Sequence, residues 1–361
     1  MMYPMLTDKI ESRKLPDLLS LSDGTKVTSK EDWERRRGEI RELLLREEYG
    51  FMPEAPEEVR SSVQQTDNDA FAGKAIWTKL RISFDTPKGE FSFPIDLILP
   101  KAVKRPPVFL HIAFRPDIPD RYLPVEELVD NGFAIANFCY HDVTADAADE
   151  SGLASMYERD PLYGWGKIGM WAWAASRVMD YLTALDTVDS ARVAVVGHSR
   201  LGKTALLCGA LDERFSMVIS NDSGCGGAAF NRWKGGERIK DLERVVPYWF
   251  CGQFQNHVDR ENEMPFDQHY LLAMSAPRAL YVASAQLDDW ADPLSEFLSA
   301  FAVSPVYALY GRKGLVTEDE LPAVNQPLQE GTVGYHMRTG SHFFSRTDWL
   351  YYMQYRKTHN V

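Results

Sequence analysis

From position 192 to 204 the chain reads Arg-Val-Ala-Val-Val-Gly-His-Ser-Arg-Leu-Gly-Lys-Thr, an apolar run followed by a tight turn and the start of a helix. Two chemistries fit these residues. Gly197 to Thr204 matches GxxxxGK[ST], the loop whose backbone N–H groups cradle phosphates. The same residues read as a nucleophile elbow with Ser199 at the apex of a strand-to-helix turn. An elbow needs small residues beside its apex because the backbone bends sharply there. Gly197 supplies one, but Leu201 stands where the generic GxSxG pattern has its second glycine, and Gly202 follows one position later. Either reading places a helix N-terminus after the turn. Its free N–H groups would hold phosphate in one case and a tetrahedral oxyanion in the other.

A serine hydroxyl is a poor nucleophile without a base, and the base needs an acid to fix its tautomer and stabilise the imidazolium. Elbow hydrolases place these partners in the chain order Ser, acid, His. Ser199, Asp288 and His342 supply that order. Asp288 follows the apolar run 279–283, and an acid at the carboxyl end of a parallel strand faces the ligand crevice. Asp288, Asp289 and Asp292 equally suit caps for the helix that begins near Pro293. His342 competes with His111, His141, His198, His257, His269, His336 and His359. The phosphate-loop reading has its own support, since Met217–Asp222 passes as a Walker B strand. Against it, half the chain precedes the loop.

The elements around these residues define the fold class. Thr28 and Glu31 read as a capping box, opening a charged helix through about Glu48 whose Trp33, Ile40, Leu43 and Leu44 recur at helical spacing. Ile76, Leu80, Ile82 and Phe84, then Phe91, Phe93, Ile95, Leu97 and Leu99, alternate on either side of a turn at 86–90 and predict an antiparallel hairpin. Short continuous apolar runs follow at 108–114, 133–139, 193–196, 217–220, 279–283 and 306–309. Such runs indicate strands buried on both faces, as in parallel sheets. Helical stretches at 169–185, 201–211 and 293–301 separate them, so the chain is an α/β protein of three layers with a mixed, mostly parallel sheet. The 361 residues are expected to form a single domain, with 1–70 an N-terminal extension packed on the core.

Composition narrows the function class. Lys and Arg number 40 and Asp and Glu 52, giving 40 − 52 = −12, a poor match to a nucleic-acid partner. Cys139, Cys208, Cys225 and Cys251 are far apart with no CxxC pair, so they read as buried free thiols rather than a zinc ribbon or a disulfide framework. The N-terminus lacks an apolar signal region and no run of 18 apolar residues occurs, which predicts a cytoplasmic protein with no membrane partner.

Taken together the motifs resemble carbohydrate esterase family 15, the glucuronoyl esterases, in its bacterial branch. The resemblance runs from about Trp33 to Trp349. The family elbow has the form Gly-x-Ser-Arg-x-Gly-Lys, which residues 197–203 reproduce, displaced glycine included. Further matches are Trp-Ala-Trp-Ala-Ala-Ser-Arg at 171–177, Asn-Asp-Ser-Gly-Cys-Gly-Gly at 221–227, Asp-Gln-His at 267–269, Ala-Pro-Arg at 276–278, Trp-Ala-Asp-Pro at 290–293 and Gly-Ser-His at 340–342 before Asp348-Trp349.

The resemblance implies an α/β-hydrolase fold and a serine esterase. It makes Ser199 the nucleophile, His342 the base and Arg200 an oxyanion ligand. Lys203 would bond the uronate hydroxyls, and Glu237 and Trp290 would contact the sugar. The acid has two candidates. Many members carry a glutamate in Glu-Ser-Gly, where this chain has Asp222, one methylene shorter; others use an aspartate one strand later, which corresponds to Asp288. Asp288 is favoured, with Asp222 a helper. The implied substrate is a 4-O-methyl-glucuronate ester of xylan with a lignin alcohol, or a smaller oligosaccharide ester, with no metal and no cofactor. An acetyl xylan esterase or broader carbohydrate acyl esterase is the alternative; a P-loop NTPase and a non-catalytic sugar-binding protein are remoter ones. Arg200 and Lys203 from one turn, with Arg232 and Lys234 expected nearby in space, predict a positive pocket suited to a uronate product. No oligomeric state is assigned.

Overall fold

The computed structural model describes residues 6–232, 235–318 and 320–361. The strands are β1 Arg60–Asp69, β2 Ala75–Thr86, β3 Gly89–Pro100, β4 Pro107–Ala113, β5 Ala134–Cys139, β6 Asp189–His198, β7 Met217–Asn221, β8 Ala279–Ala285 and β9 Val333–Arg338. They form one nine-stranded sheet in the order β1-β2-β3-β5-β4-β6-β7-β8-β9. Pairings from β1 through β3 to β5 are antiparallel, and those from β5 through β4 to β9 are parallel. This is the mixed, mostly parallel sheet expected from the switch between alternating and continuous apolar patterns.

Both faces of the parallel part are buried, which is why its strands read as unbroken apolar runs. Val108, Leu110 and Ile112 of β4 face one core, while Phe109 faces the other. The larger core is covered by α1 (Lys30–Leu44), α2 (Lys167–Thr183), α3 (Arg200–Leu211) and α4 (Pro293–Ala302). On the opposite face lies α6 (Arg346–His359), whose Trp349, Tyr352, Met353 and Tyr355 pack on Phe109, Val196 and Tyr281. Trp33, Ile40 and Leu44 dock α1 into the larger core as its apolar spacing required. All four cysteines are buried free thiols. Among the described residues no helix is long and apolar enough to cross a membrane.

Several local expectations change. The N-cap of α1 is Ser29 rather than Thr28: its side chain accepts from Asp32 N, and Asp32 accepts from the Ser29 backbone in return. The helix stops at Leu44, and a π-helical turn, Leu45–Tyr49, follows it. The run at 306–309 is part of a helix, α5 (Ser304–Leu309), with Pro305 in its first turn. Pro preset for a helix start outweighs four apolar residues that fit either element. The strand that closes the sheet is instead β9, where Gly334, His336 and Arg338 interrupt the apolar pattern yet are deeply buried. Edge strand β1 has no apolar face to betray it, since nine of its ten residues are exposed.

The π-helical turn carries a buried carboxyl under the site. Glu48 is fully buried and accepts two hydrogen bonds from Gln268 Nε2, at 2.8 and 3.0 Å. Burial pushes its carboxyl up to about 8 against those hydrogen bonds. The folded chain therefore keeps a proton that an unfolded glutamate releases near about 4.3. That contribution to stability is complete below the unfolded value and is lost as pH rises through about 8. Glu48→Gln should flatten this part of the pH–stability curve in urea melts, and an unchanged slope between about pH 5 and 8 would contradict a protonated Glu48.

Candidate active site

The turn from β6 into α3 is an elbow. Ser199 has φ 58° and ψ −129°, a strained conformation for a non-glycine residue. It is held by its N–H donating to Asn221 O at 2.8 Å and by its carbonyl accepting from Gly202 N and Lys203 N at 2.8 and 3.2 Å. A Cβ at position 197 would lie 2.0 Å from Leu201 O, so only glycine lets the strand and helix close this tightly. A Cβ at 202 would meet Ser223 Cβ at 3.0 Å and Asn221 O at 3.1 Å. The displaced glycine is thus where α3 crosses the end of β7.

Four adjacent parallel strands deliver the remaining candidates at their carboxyl ends: Ser199 follows β6, Asp222 follows β7, Asp288 follows β8 and His342 follows β9. His342 Nδ1 and Asp288 Oδ2 are 2.6 Å apart, with the imidazole donating. Burial works to raise the Asp288 carboxyl, but the hydrogen bond and charge of His342 outweigh it and hold it below the usual range. That bond fixes the tautomer that leaves Nε2 as the acceptor. The His342 ring lies 4.5 Å from the ring of His198, the residue before the nucleophile. His198 is buried, bonds Asn221 Oδ1 from Nδ1 at 2.6 Å, and is pushed down to about 3 by burial and by His342, so it is neutral. The acid–base half of the relay is formed. Among the described residues no hydrogen bond joins Ser199 Oγ to His342, a contact that commonly tightens only with substrate bound.

Asp222 is buried at φ 45° and faces the same imidazole: ligand atoms of Asp222, Asp288 and His342 all lie within 4.8 Å of one another. These three are also the close group of potential metal ligands. Asp288 Oδ2 and His342 Nδ1 are engaged with each other, and Arg338 Nη2 donates to Asp222 Oδ2 at 3.2 Å, which leaves Asp222 Oδ1 buried without a hydrogen bond among the described residues. A guanidinium beside Asp222 suits a proton relay better than a second cation. Burial, with the charges of Glu296 and Asp348, holds the Asp222 carboxyl well above its usual range despite Arg338.

On the other side of the elbow stand the cations. Arg200 Nη1 donates to Asp146 Oδ2, and its guanidinium lies 4.8 Å over the Trp249 ring. Asp146 also accepts from Trp249 Nε1 at 2.7 Å. Arg200 Nε is buried and has no partner. Lys203, one turn along α3, is 3% exposed; its Nζ donates to Ser223 O at 2.5 Å and pairs with Glu237 Oε2 at 3.3 Å. Glu237 Oε1 accepts from Trp290 Nε1 at 3.2 Å, and Trp290 itself is 55% exposed. Lys203, Glu237 and Trp290 are thus one linked strip.

A family model described as glucuronyl esterase, fungi, matches residues 82–311. A carbohydrate esterase, MZ0003, from an unidentified prokaryote is 34% identical over 388 aligned positions, which span 96% of this chain and 89% of the relative. The chain belongs to the glucuronoyl esterase family. A solved glucuronoyl esterase from Solibacter usitatus superposes with a TM-score of 0.88 at 37% identity, covering 95% of this chain and 97% of that one. A 4-O-methyl-glucuronoyl methylesterase from Podospora anserina is 31% identical over 79% of this chain and 58% of its own length. As a member of this family the chain has the α/β-hydrolase fold and is a carboxylic ester hydrolase acting on carbohydrate esters.

Within this glucuronoyl esterase fold Asp222, Asp288 and His342 come together beyond the strand ends, and Lys203, Glu237 and Trp290 are joined to one another beside the elbow. Of the two cations expected to enlarge the pocket, Arg232 does not add to it. Arg232 is 3% exposed, its guanidinium bonded to Met264 O and its backbone N–H to Asp267 Oδ2; Lys234 lies outside the described residues. Of the aspartates weighed as helix caps, Asp292 takes that part, accepting from Ser295 N at 3.1 Å. Four residues at the site carried no usable sequence signal. Asp146 and Trp249 clamp Arg200 from distant loops. Glu296 accepts from Ser223 N, Gly224 N and Ser284 Oγ at 2.8, 2.9 and 2.6 Å, pinning the Asp222 turn; burial pushes it up to about 7. Glu296 is the one charge in the helix Pro293–Ala302, but a lone charge there does not by itself distinguish a solvated side chain from a buried one. Arg338 stands two residues before the Gly-Ser-His motif at 340–342 and had no assigned role.

Proposed function

We propose that this enzyme hydrolyses esters of a 4-O-methyl-glucuronoyl type through an acyl-enzyme on Ser199. The observation that carries the reading is the Lys203–Glu237–Trp290 strip beside the elbow, a buried cation, a carboxylate and an exposed indole arranged to meet a sugar. Ser199 Oγ attacks the ester carbonyl while His342 Nε2 takes its proton. Arg200 and the first N–H groups of α3 stabilise the oxyanion, each donor worth about 3 kcal/mol. His342 then protonates the leaving alcohol. Water, deprotonated by the same imidazole, attacks the acyl-enzyme; the bond to Ser199 Oγ breaks, the imidazolium returns its proton to that oxygen, and the released uronic acid ionises to its carboxylate. Asp288 stabilises the imidazolium throughout. Relatives named for 4-O-methyl-glucuronoyl ester cleavage support the acyl group proposed.

Benzyl glucuronate and acetylated xylose, assayed side by side, test the substrate. Cleavage of the glucuronate ester is expected, and cleavage of the acetate alone would overturn the assignment. Lys203→Met should lower kcat/KM for the glucuronate ester by about 10- to 100-fold, the loss of a hydrogen bond from a charged donor. It should act mainly through KM, because the lysine faces the sugar and not the reacting carbonyl. Equal losses on acetate and glucuronate would show that it does not read the uronate.

A further inference from the structure

His342 sits on a turn tied at its start by Leu287 N to Gly340 O at 2.9 Å and by Asn325 to Thr339, but among the described residues neither bond reaches the carbonyls that flank His342. Its side chain is 44% exposed and hydrogen-bonds Asp288. A base in such a position needs its backbone held, since every freely rotating arrangement dilutes the productive one. The holding group is the residue that ends β9. Arg338 is 4% exposed, and its guanidinium uses all five of its N–H groups. Nη1 donates to Thr339 O and Ser341 O, both at 3.2 Å. Nη2 donates to Phe343 O and to Asp222 Oδ2. Nε is shared between the two oxygens of Asp348, each at 3.0 Å. The carbonyls on both sides of His342 therefore rest on one planar cation, which also fixes the neighbouring carboxyl of Asp222.

The far side of that cation is anchored in turn. Asp348 accepts from Ser345 N and Ser345 Oγ at the start of α6, and from His336 Nε2 at 2.8 Å. Gly340, at φ 110°, lets the turn fold down on the guanidinium; a Cβ there would lie 3.3 Å from Arg338 Nη1. An ion pair serving only the core would not spend three donors on carbonyls of residues 339–343.

We propose that Arg338 is the positioning residue for the base, holding the His342 turn and Asp222 in one arrangement through a fork that lysine cannot reproduce. This rests on His342 being the base. Arg338→Lys keeps the charge and loses the fork, and kcat should fall about 100-fold. KM should stay within about twofold. Introduced into a His342→Ala enzyme, the same change should cost nothing further, because no imidazole remains to be placed. Gly340→Ala leaves Arg338 in place and lifts the turn from it; the same loss of kcat is expected, and this variant decides the matter if Arg338→Lys does not fold. The proposal is overturned if kcat in these variants stays within about threefold of the parent, or if Arg338→Lys lowers the residual His342→Ala turnover by its full factor. Full activity in His342→Ala alone would instead overturn the assignment of the base.

Discussion

Ser199→Ala should lower kcat by about a million-fold and leave the fold intact. The loss is large because the base, the acid and the oxyanion ligands act on an oxygen that is no longer there. What remains is whatever the oxyanion site and binding achieve with water. The fold should survive because Ser199 contributes backbone hydrogen bonds to the elbow, through its N–H and carbonyl, and these persist in alanine. The strain at φ 58° also persists, so any change in the thermal midpoint should be small. Hydrolysis of benzyl glucuronate under saturating substrate, with circular dichroism melts on the same preparation, checks both halves. Turnover within tenfold of the parent enzyme would remove the acyl-enzyme mechanism.

The two aspartates should separate by orders of magnitude. Asp288→Asn replaces the acceptor on His342 Nδ1 with an amide that can present a donor, favouring the wrong tautomer, and kcat should fall about 10⁴-fold. Asp222→Asn should cost no more than about tenfold, the range of one neutral hydrogen bond. The reason lies in their surroundings. Asp288 is held ionised by His342, whereas burial and neighbouring carboxylates hold the Asp222 carboxyl well above its usual range. An amide at 222 still offers an oxygen to Arg338. The reverse ranking, with Asp222→Asn the dead enzyme, would move the acid one strand over.

The chemistry was legible because it constrains residue types and order. Ser199, Asp288 and His342 had to appear in that order after strands, and the family form of the elbow explained Gly202. The choice between Asp288 and Asp222 was not open to residue type alone, since it depends on which oxygen lies against Nδ1. The parallel strands were legible wherever both faces are aliphatic. At 306–309 a short apolar run fits helix and strand alike, and Pro305 decided it. Strand β9 was hidden for the opposite reason: its Gly334, His336 and Arg338 are buried by hydrogen bonding and close packing rather than by apolar character. Asp146 and Trp249 are joined to Arg200 only by tertiary contact, and no local pattern marks such residues.

Strands β7 and β8 are neighbours, and each is followed by an aspartate with a ligand atom within 4.8 Å of the same imidazole. Adjacent strands lie about 4.8 Å apart, so a carboxylate gained on one tip already stands beside the other. The rim of a parallel sheet therefore offers more than one place from which an acid can be presented to a base, without moving the base itself. The nucleophile and the base each come from one strand end, whereas two neighbouring strand ends in this chain each supply a carboxyl group to the space around the imidazole.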